Sequence, residues 1–103
     1  MKVKIQDEYL NVILTCQELF GKQDFPVEVI EKFKQRIFQI TEAKDTRDLR
    51  AIKSLHFEKL RSGRYKGRYS IRLTLAYRMI FTIEKEEIHV EIIVVEEINN
   101  HYA

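Results

Sequence analysis

Basic side chains are concentrated in residues 59–83 of this 103-residue chain. No acidic residue interrupts this segment, although 33% of the chain is charged and acidic residues outnumber basic ones by 16 to 11 elsewhere. Guanidinium and ammonium groups bind phosphate oxygens, so the segment predicts a surface for a phosphate-bearing partner. A solvated strand face without a ligand is the alternative. The basic residues are Lys59, Arg61, Arg64, Lys66, Arg68, Arg72 and Arg78.

The same segment alternates in polarity, as a β-strand with one buried face does. Every odd position from 69 to 83 is apolar or aromatic, which places Arg72 and Arg78 together on the opposite face. The run is too long for one strand, so we predict a hairpin that bends at residues 74–76. Tyr69 and Tyr77 share the apolar register and are expected in the core.

Two helices are predicted ahead of these strands. Asp7 is the expected N-cap of a helix over residues 8–20, and Gly21 is its expected stop. Pro26 fits the first turn of a second helix, whose apolar stripe runs over residues 27–40. The link between the helices is short, which predicts an antiparallel helical hairpin that covers the sheet.

The remaining segments complete an α+β domain that spans residues 1–103. Its expected architecture is a short N-terminal strand and a helical hairpin packed on a mostly antiparallel sheet of three to four strands. The other predicted features are strands at residues 1–5 and 56–60, a cap of a short turn at Thr46 or Asp48, a polar turn at 84–87, a last strand buried on both faces at 88–95, and a polar tail at 96–103.

Composition excludes several classes of protein. Cys16 is the single cysteine, so an intramolecular disulfide is excluded, and an inert buried thiol is expected. No cysteine or histidine cluster has zinc-site spacing, so we expect neither metal nor cofactor. No apolar run approaches the roughly 18 residues of a membrane helix, and the N-terminus lacks the apolar core of a signal peptide. We expect no membrane association and a cytoplasmic location.

Several motifs together resemble a known family. FGKQDFPVEVIEKFKQRI is followed by DLRAIKSLHFEKLRSG, by YKGRYSIRLTLAYRMIF and by a C-terminal NNHY. In this order they resemble the RelE/ParE superfamily of toxins from bacterial toxin–antitoxin pairs, and within it the HigB-like branch. The resemblance covers nearly the whole chain and implies a RelE-like microRNase fold.

The resemblance also implies an activity and partners. HigB-like members are ribosome-dependent endoribonucleases that cut mRNA in the decoding site of the 70S ribosome without a metal. A tight complex with a helix-turn-helix antitoxin is implied, with DNA contacted only through that complex. Two alternatives stay open: a non-enzymatic inhibitor of DNA gyrase, as in the ParE branch, and a basic binding module without catalysis.

The resemblance assigns roles to particular residues. Arg78 matches the arginine that stabilises the transition state; a solvent-facing arginine paired with Glu91 or Glu97 is the alternative. Arg61 falls where the family has a catalytic lysine, and Lys59 is its neighbour. A clear general base is missing from residues 59–83. The remaining candidates are His101 and Tyr102 for proton transfer, and Arg64, Tyr65, Lys66, Arg68 and Arg72 for binding RNA, with Tyr65 placed to stack on a base.

Overall fold

A five-stranded sheet with helices on one face forms the protein. The computed structural model describes residues 1–15, 24–87 and 90–100. Within them the helices are α1 (Glu8–Thr15), α2 (Val27–Glu42) and α3 (Thr46–Ala51), with 3₁₀ turns at Lys53–Leu55 and Gly63–Tyr65. The strands are β1 (Lys2–Ile5), β2 (Glu58–Lys59), β3 (Tyr69–Arg72), β4 (Tyr77–Glu87) and β5 (Val90–Asn100).

The strand order is β1-β5-β4-β3-β2, which makes β1 and β2 the edges. Only β1 runs parallel to its neighbour, β5, and the other neighbouring pairs are antiparallel. The predicted α+β class, with an N-terminal edge strand and a mostly antiparallel sheet, is confirmed. The predicted hairpin is also confirmed, because Leu73 N donates to Tyr77 O at 2.9 Å and Leu75 at its tip is 79% exposed.

The core lies between the helices and one face of the sheet. The apolar stripe of α2 is buried there, with Phe33 and Ile40 fully inaccessible. Opposite it lie the odd-numbered side chains of the hairpin, as the alternation predicts, and Tyr69 and Tyr77 pack against this core. Each large apolar side chain buried in this way stabilises the fold by about 1.5–3 kcal/mol. The sheet members are Ile71, Leu73, Met79, Phe81, Ile93, Val95 and Ile98.

A buried arginine ties α2 to the end of β3. Arg36 is 6% exposed, and its Nε donates to Arg72 O at 3.2 Å. Its Nη1 donates to Gln39 Oε1 at 2.9 Å and its Nη2 to Ser54 O at 3.4 Å. Desolvation by burial lowers the pKa of Arg36. These bonds fix the last residue of β3, whose side chain belongs to the opposite face of the sheet.

Two predicted boundaries near the C-terminus are wrong. Residues 84–87 form the end of β4 rather than a turn, and β5 runs on to Asn100 where a polar tail was expected from residue 96. Polar side chains are tolerated in these strand ends because they find partners across the sheet: Glu84 pairs with Lys4 at 3.7 Å. Residues 92–95 are buried, so the prediction of an interior last strand is confirmed.

Helix caps follow the expected chemistry but not every expected residue. Asp7 caps α1 as predicted, because its Oδ1 accepts from Leu10 N at 3.0 Å. Pro26 is the N-cap of α2 rather than part of its first turn. For α3 the cap is Asp45, whose Oδ1 accepts from Arg47 N at 2.9 Å, so the prediction of Thr46 or Asp48 is wrong.

Some predictions fall outside the described residues. These are the buried thiol of Cys16 and the helix stop at Gly21. No helix of the described part is long and apolar enough to cross a membrane.

Candidate functional site

A pocket of about 600 Å³ lies on the sheet face that the helices leave uncovered. β2, β3, β4 and β5 contribute to it, together with residues 60–65 of the basic loop. Its apolar wall contains Phe57, Leu60 and Ile80. The polar side chains that line it are those of Glu58, Lys59, Arg61, Ser62, Tyr65, Ser70, Arg78 and Asn99.

Strand register brings the polar residues together. Glu58 pairs with Ser70, which in turn pairs with Ile80, so these three side chains share one row across the sheet. In the parallel row, Arg78 pairs with Arg72 on one side and with Asn99 on the other. Because side chains of a strand alternate between faces, both rows lie opposite the core.

Arg78 is the most constrained cation of the pocket. It is 7% exposed, and its Nη1 donates to Ser70 Oγ at 3.1 Å and to Glu58 Oε2 at 3.3 Å. Its buried Nε has no hydrogen-bond partner in the described part of the chain. A guanidinium with unused donors in a desolvated position is suited to bind a phosphate oxygen, because the attraction is weakly screened there. The predicted alternative, a solvent-facing Arg78 paired with Glu91 or Glu97, is therefore wrong.

Glu58 is the functional candidate that the sequence interpretation missed. Its carboxylate is the acidic group that lines the pocket among the described residues, and its side chain is 55% exposed although it contacts Arg78. A carboxylate that is accessible to substrate and held by an arginine can accept a proton from a reacting hydroxyl. Glu58 stands one position before the acid-free segment, and the signal that locates it is its strand pairing with Ser70.

The three predicted cations Lys59, Arg61 and Lys66, at the end of β2 and in the loop that follows it, differ in their positions relative to the pocket. Lys59 contributes to the pocket lining, but its Nζ lies 5.8 Å from the centre of the Tyr69 ring, in the register of the core face. Arg61 is exposed and lines the pocket. Lys66 is exposed and follows the Gly63–Tyr65 turn. Of these three cations, Lys59 and Arg61 line the pocket and Lys66 does not.

The basic loop is held against β5 by acidic partners. Arg64 Nη2 lies 3.7 Å from Glu97 Oε1, and Arg68 forms a hydrogen-bonded ion pair with Glu96. The two positive φ angles at Gly63 and Gly67, 73° and 87°, let the chain turn back sharply to make these contacts. A segment without acids in sequence is therefore partly neutralised by acids from another strand.

Tyr65 is held by two hydrogen bonds. Its Oη accepts from Arg64 Nη2 at 2.7 Å and from Asn99 Nδ2 at 2.9 Å. Desolvation by burial, followed by the influence of the Glu97 carboxylate, raises the pKa of Tyr65, so the phenol keeps its proton at neutral pH. The Arg64 guanidinium lies 4.8 Å from the ring centre, where a stacking base was expected. One ring face is thus already covered.

Arg72 faces Arg78 across the hairpin. Its buried Nε also has no hydrogen-bond partner among the described residues. Like charges at directly opposed positions destabilise a sheet, which makes a bound anion a natural counter-ion for this pair. The structure thus brings Arg72 next to Arg78, as the shared polar register predicts.

The two residues predicted to transfer protons have no described position. His101 and Tyr102 lie outside the described residues, so their predicted roles stay predictions. No group of three or more metal-ligating side chains occurs in the residues that the structure describes.

Comparison with known proteins identifies the fold. No family model and no curated protein matches the sequence. A solved structure described as a YoeB/ParE toxin from Agrobacterium tumefaciens is similar with a TM-score of 0.53 and 18% identity, over 99% of this chain and 100% of that one. These data establish the fold, which is the α+β fold of that solved structure. At this identity the similarity concerns the fold, and activity has to be argued from the pocket.

Proposed function

We propose that this protein is the toxin of a toxin–antitoxin pair and acts as a metal-independent endoribonuclease on mRNA at the ribosome. The observation that carries the proposal is the contact between Glu58 and the buried Arg78 in an open pocket, 3.3 Å apart. Glu58 accepts a proton and Arg78 stabilises negative charge. These are two of the three requirements of metal-free RNA cleavage, and the third is a proton for the leaving oxygen. The similarity to a toxin fold and the sequence motifs support the same class.

The proposed reaction uses the ribose 2′-hydroxyl as the nucleophile. Glu58 accepts its proton while the oxygen attacks phosphorus, and Arg78 binds the oxygens of the phosphorane, whose negative charge it stabilises. The bond from phosphorus to the 5′-oxygen then breaks, which leaves a 2′,3′-cyclic phosphate and a 5′-hydroxyl. The leaving oxygen takes a proton from the third group, for which His101 with Tyr102 remains the candidate.

The other cations have supporting roles in this proposal. Arg72 binds phosphate beside Arg78, and Arg61 attracts the RNA from the solvent side of the pocket. Arg64, Lys66 and Arg68 contact the backbone of the strand beyond it. Since Arg64 and Arg68 already have acidic partners, their affinity for RNA depends on exchanging those partners and is expected to fall steeply with salt.

The proposed protein partner is a helix-turn-helix antitoxin. An acidic segment of such a partner is electrostatically complementary to the pocket and its basic loop. DNA is then contacted through the antitoxin in the complex. Coexpression of the product of the neighbouring reading frame should therefore relieve toxicity.

The test compares matched variants in cell-free translation with mapping of mRNA 5′ ends. Wild type is expected to cut translated mRNA, and Glu58→Gln, which keeps the shape but removes the base, should lower the cleavage rate by at least about 100-fold. Glu86→Gln is the control, because Glu86 is an exposed β4 carboxylate that contacts Lys2 at 3.9 Å and does not line the pocket.

A gyrase supercoiling assay runs in parallel with the same proteins. Intact mRNA together with inhibited supercoiling would overturn the nuclease proposal in favour of gyrase inhibition. Equal cleavage by wild type and Glu58→Gln would refute the role of Glu58.

A further inference from the structure

The pocket has more room than the reacting phosphate needs. Its volume of about 600 Å³ falls in the range of sites for whole small molecules, roughly 300–1,000 Å³. Beside Arg78 and Glu58 it has an apolar wall that includes Leu60 and Ile80. An apolar wall that includes the aromatic ring of Phe57, next to a cationic phosphate site, is suited to contact the face of a nucleobase.

Asn99 is the neutral polar group of β5 in this pocket. Its Nδ2 donates to Tyr65 Oη at 2.9 Å. That oxygen also accepts from Arg64 Nη2 at 2.7 Å, so both of its hydrogen-bonded neighbours are donors. The bond from Nδ2 turns the amino end of the amide toward Tyr65.

The other half of the Asn99 amide is left for a ligand. Its Oδ1 and second N–H make no hydrogen bond to any described residue, although the side chain is half-buried. An amide carries an acceptor and a donor side by side, which complements a base edge with one donor beside one acceptor. Adenine, with its N6 amino group next to N7, is the usual partner of an asparagine. Because Asn99 is neutral, it is not attracted to phosphate by charge. It can instead recognise a base by the pattern of hydrogen-bond donors and acceptors on the base edge.

We infer that Asn99 is a specificity-determining residue that reads the base beside the scissile phosphate, with Tyr65 as the residue that orients its amide. This inference rests on the proposed nuclease function and adds a nucleobase subsite to it. Adenine is the preferred occupant of that subsite.

The experiment sequences the 5′ ends of mRNA cut by wild type and by Asn99→Asp during cell-free translation. A carboxylate offers two acceptors and complements the adjacent N1–H and N2–H donors of guanine. The relative frequency of guanine to adenine at one position next to the cut should therefore rise about tenfold or more. Asn100→Asp is the matched control, because it adds the same charge one residue along, at an exposed site outside the pocket.

Two further variants keep the test decisive if the new carboxylate disturbs the fold. Asn99→Ala should flatten the base preference, and Tyr65→Phe should weaken it by freeing the amide. Cleavage by wild type with the same base preference in all Asn99 variants would overturn this inference and leave the nuclease proposal intact. An equal guanine shift in Asn100→Asp would also overturn it, because charge alone would explain the change. Absence of any cleavage by wild type would overturn both.

Discussion

Two arginines are equally buried in this protein but are bonded differently. Arg36 is 6% exposed and Arg78 is 7% exposed. All three guanidinium nitrogens of Arg36 donate to protein oxygens, whereas in Arg78 only Nη1 donates to an oxygen of the described residues. Replacement by methionine keeps much of the side-chain volume and removes the charge. We expect it to separate a structural arginine from a functional one.

The expected free energies of unfolding differ because of these bonds. Arg36→Met leaves the carbonyl oxygens of Arg72 and Ser54 without their donor and should cost about 3 kcal/mol or more. Arg78→Met loses a bond to Ser70 of about 1.5–3 kcal/mol and an ion pair of about 0–1 kcal/mol, since Glu58 is half-exposed. Removing the unpartnered Nε gains about 1–3 kcal/mol, and relief of the charge of Arg72 gains about 0.2–1 kcal/mol. The terms for Arg78 nearly cancel.

The assay is urea unfolding of both variants, together with mRNA cleavage in cell-free translation. Arg78→Met should stay within about 1 kcal/mol of wild type, by the balance above, and lose at least about 100-fold in cleavage rate. Arg36→Met should be clearly less stable but cleave mRNA under conditions where it is folded. If Arg78→Met were as unstable as Arg36→Met, or were fully active, the assignment of Arg78 as a functional group would be refuted.

Two further predictions concern local backbone and pH. His56 has a φ of 46°, a left-handed conformation that costs a side chain with a Cβ, so His56→Gly should raise the unfolding free energy by up to about 1 kcal/mol, whereas His56→Ala should not. The hydrogen bond from Arg47 lowers the pKa of Asp45, so the cap stabilises the fold above the ordinary pKa of an aspartate and loses its effect as the pH falls through the lowered value. Asp45→Ala should therefore be less stable than wild type at neutral pH and converge with it in acid, as urea unfolding at several pH values would measure.

Most of the fold follows from local patterns. The three- and four-residue spacing that predicts α2, and the alternation that predicts β3 and β4, depend on residues close in sequence. The errors at the ends of β4 and β5 have a common cause: a run of polar residues was interpreted as the end of a strand. In the structure Glu84 finds Lys4 and Glu96 finds Arg68, so these carboxylates remain in strands.

The pocket is only partly predictable from the sequence, because some of its residues are brought together by pairing between strands that are distant in sequence. Arg78 and Arg72 are identified by composition and alternation, which are properties of one segment. Glu58 is not, because it is 20 residues from Arg78 and its position depends on how β2 pairs with β3. Asn99 lies within residues 96–103, for which a polar tail was predicted. It reaches the pocket because β5 extends to Asn100.

The amino-acid sequence by itself therefore determined the class of fold, the buried face of the sheet and the cationic character of the opposite face. These features depend on side-chain periodicity and charge, which are readable along the chain. Only the tertiary structure decided which cations are neutralised, which carboxylate meets Arg78 and where the amide of Asn99 points. The physical reason is that hydrogen bonds and ion pairs act over a few ångströms, and strand register alone brings residues distant in sequence within that range.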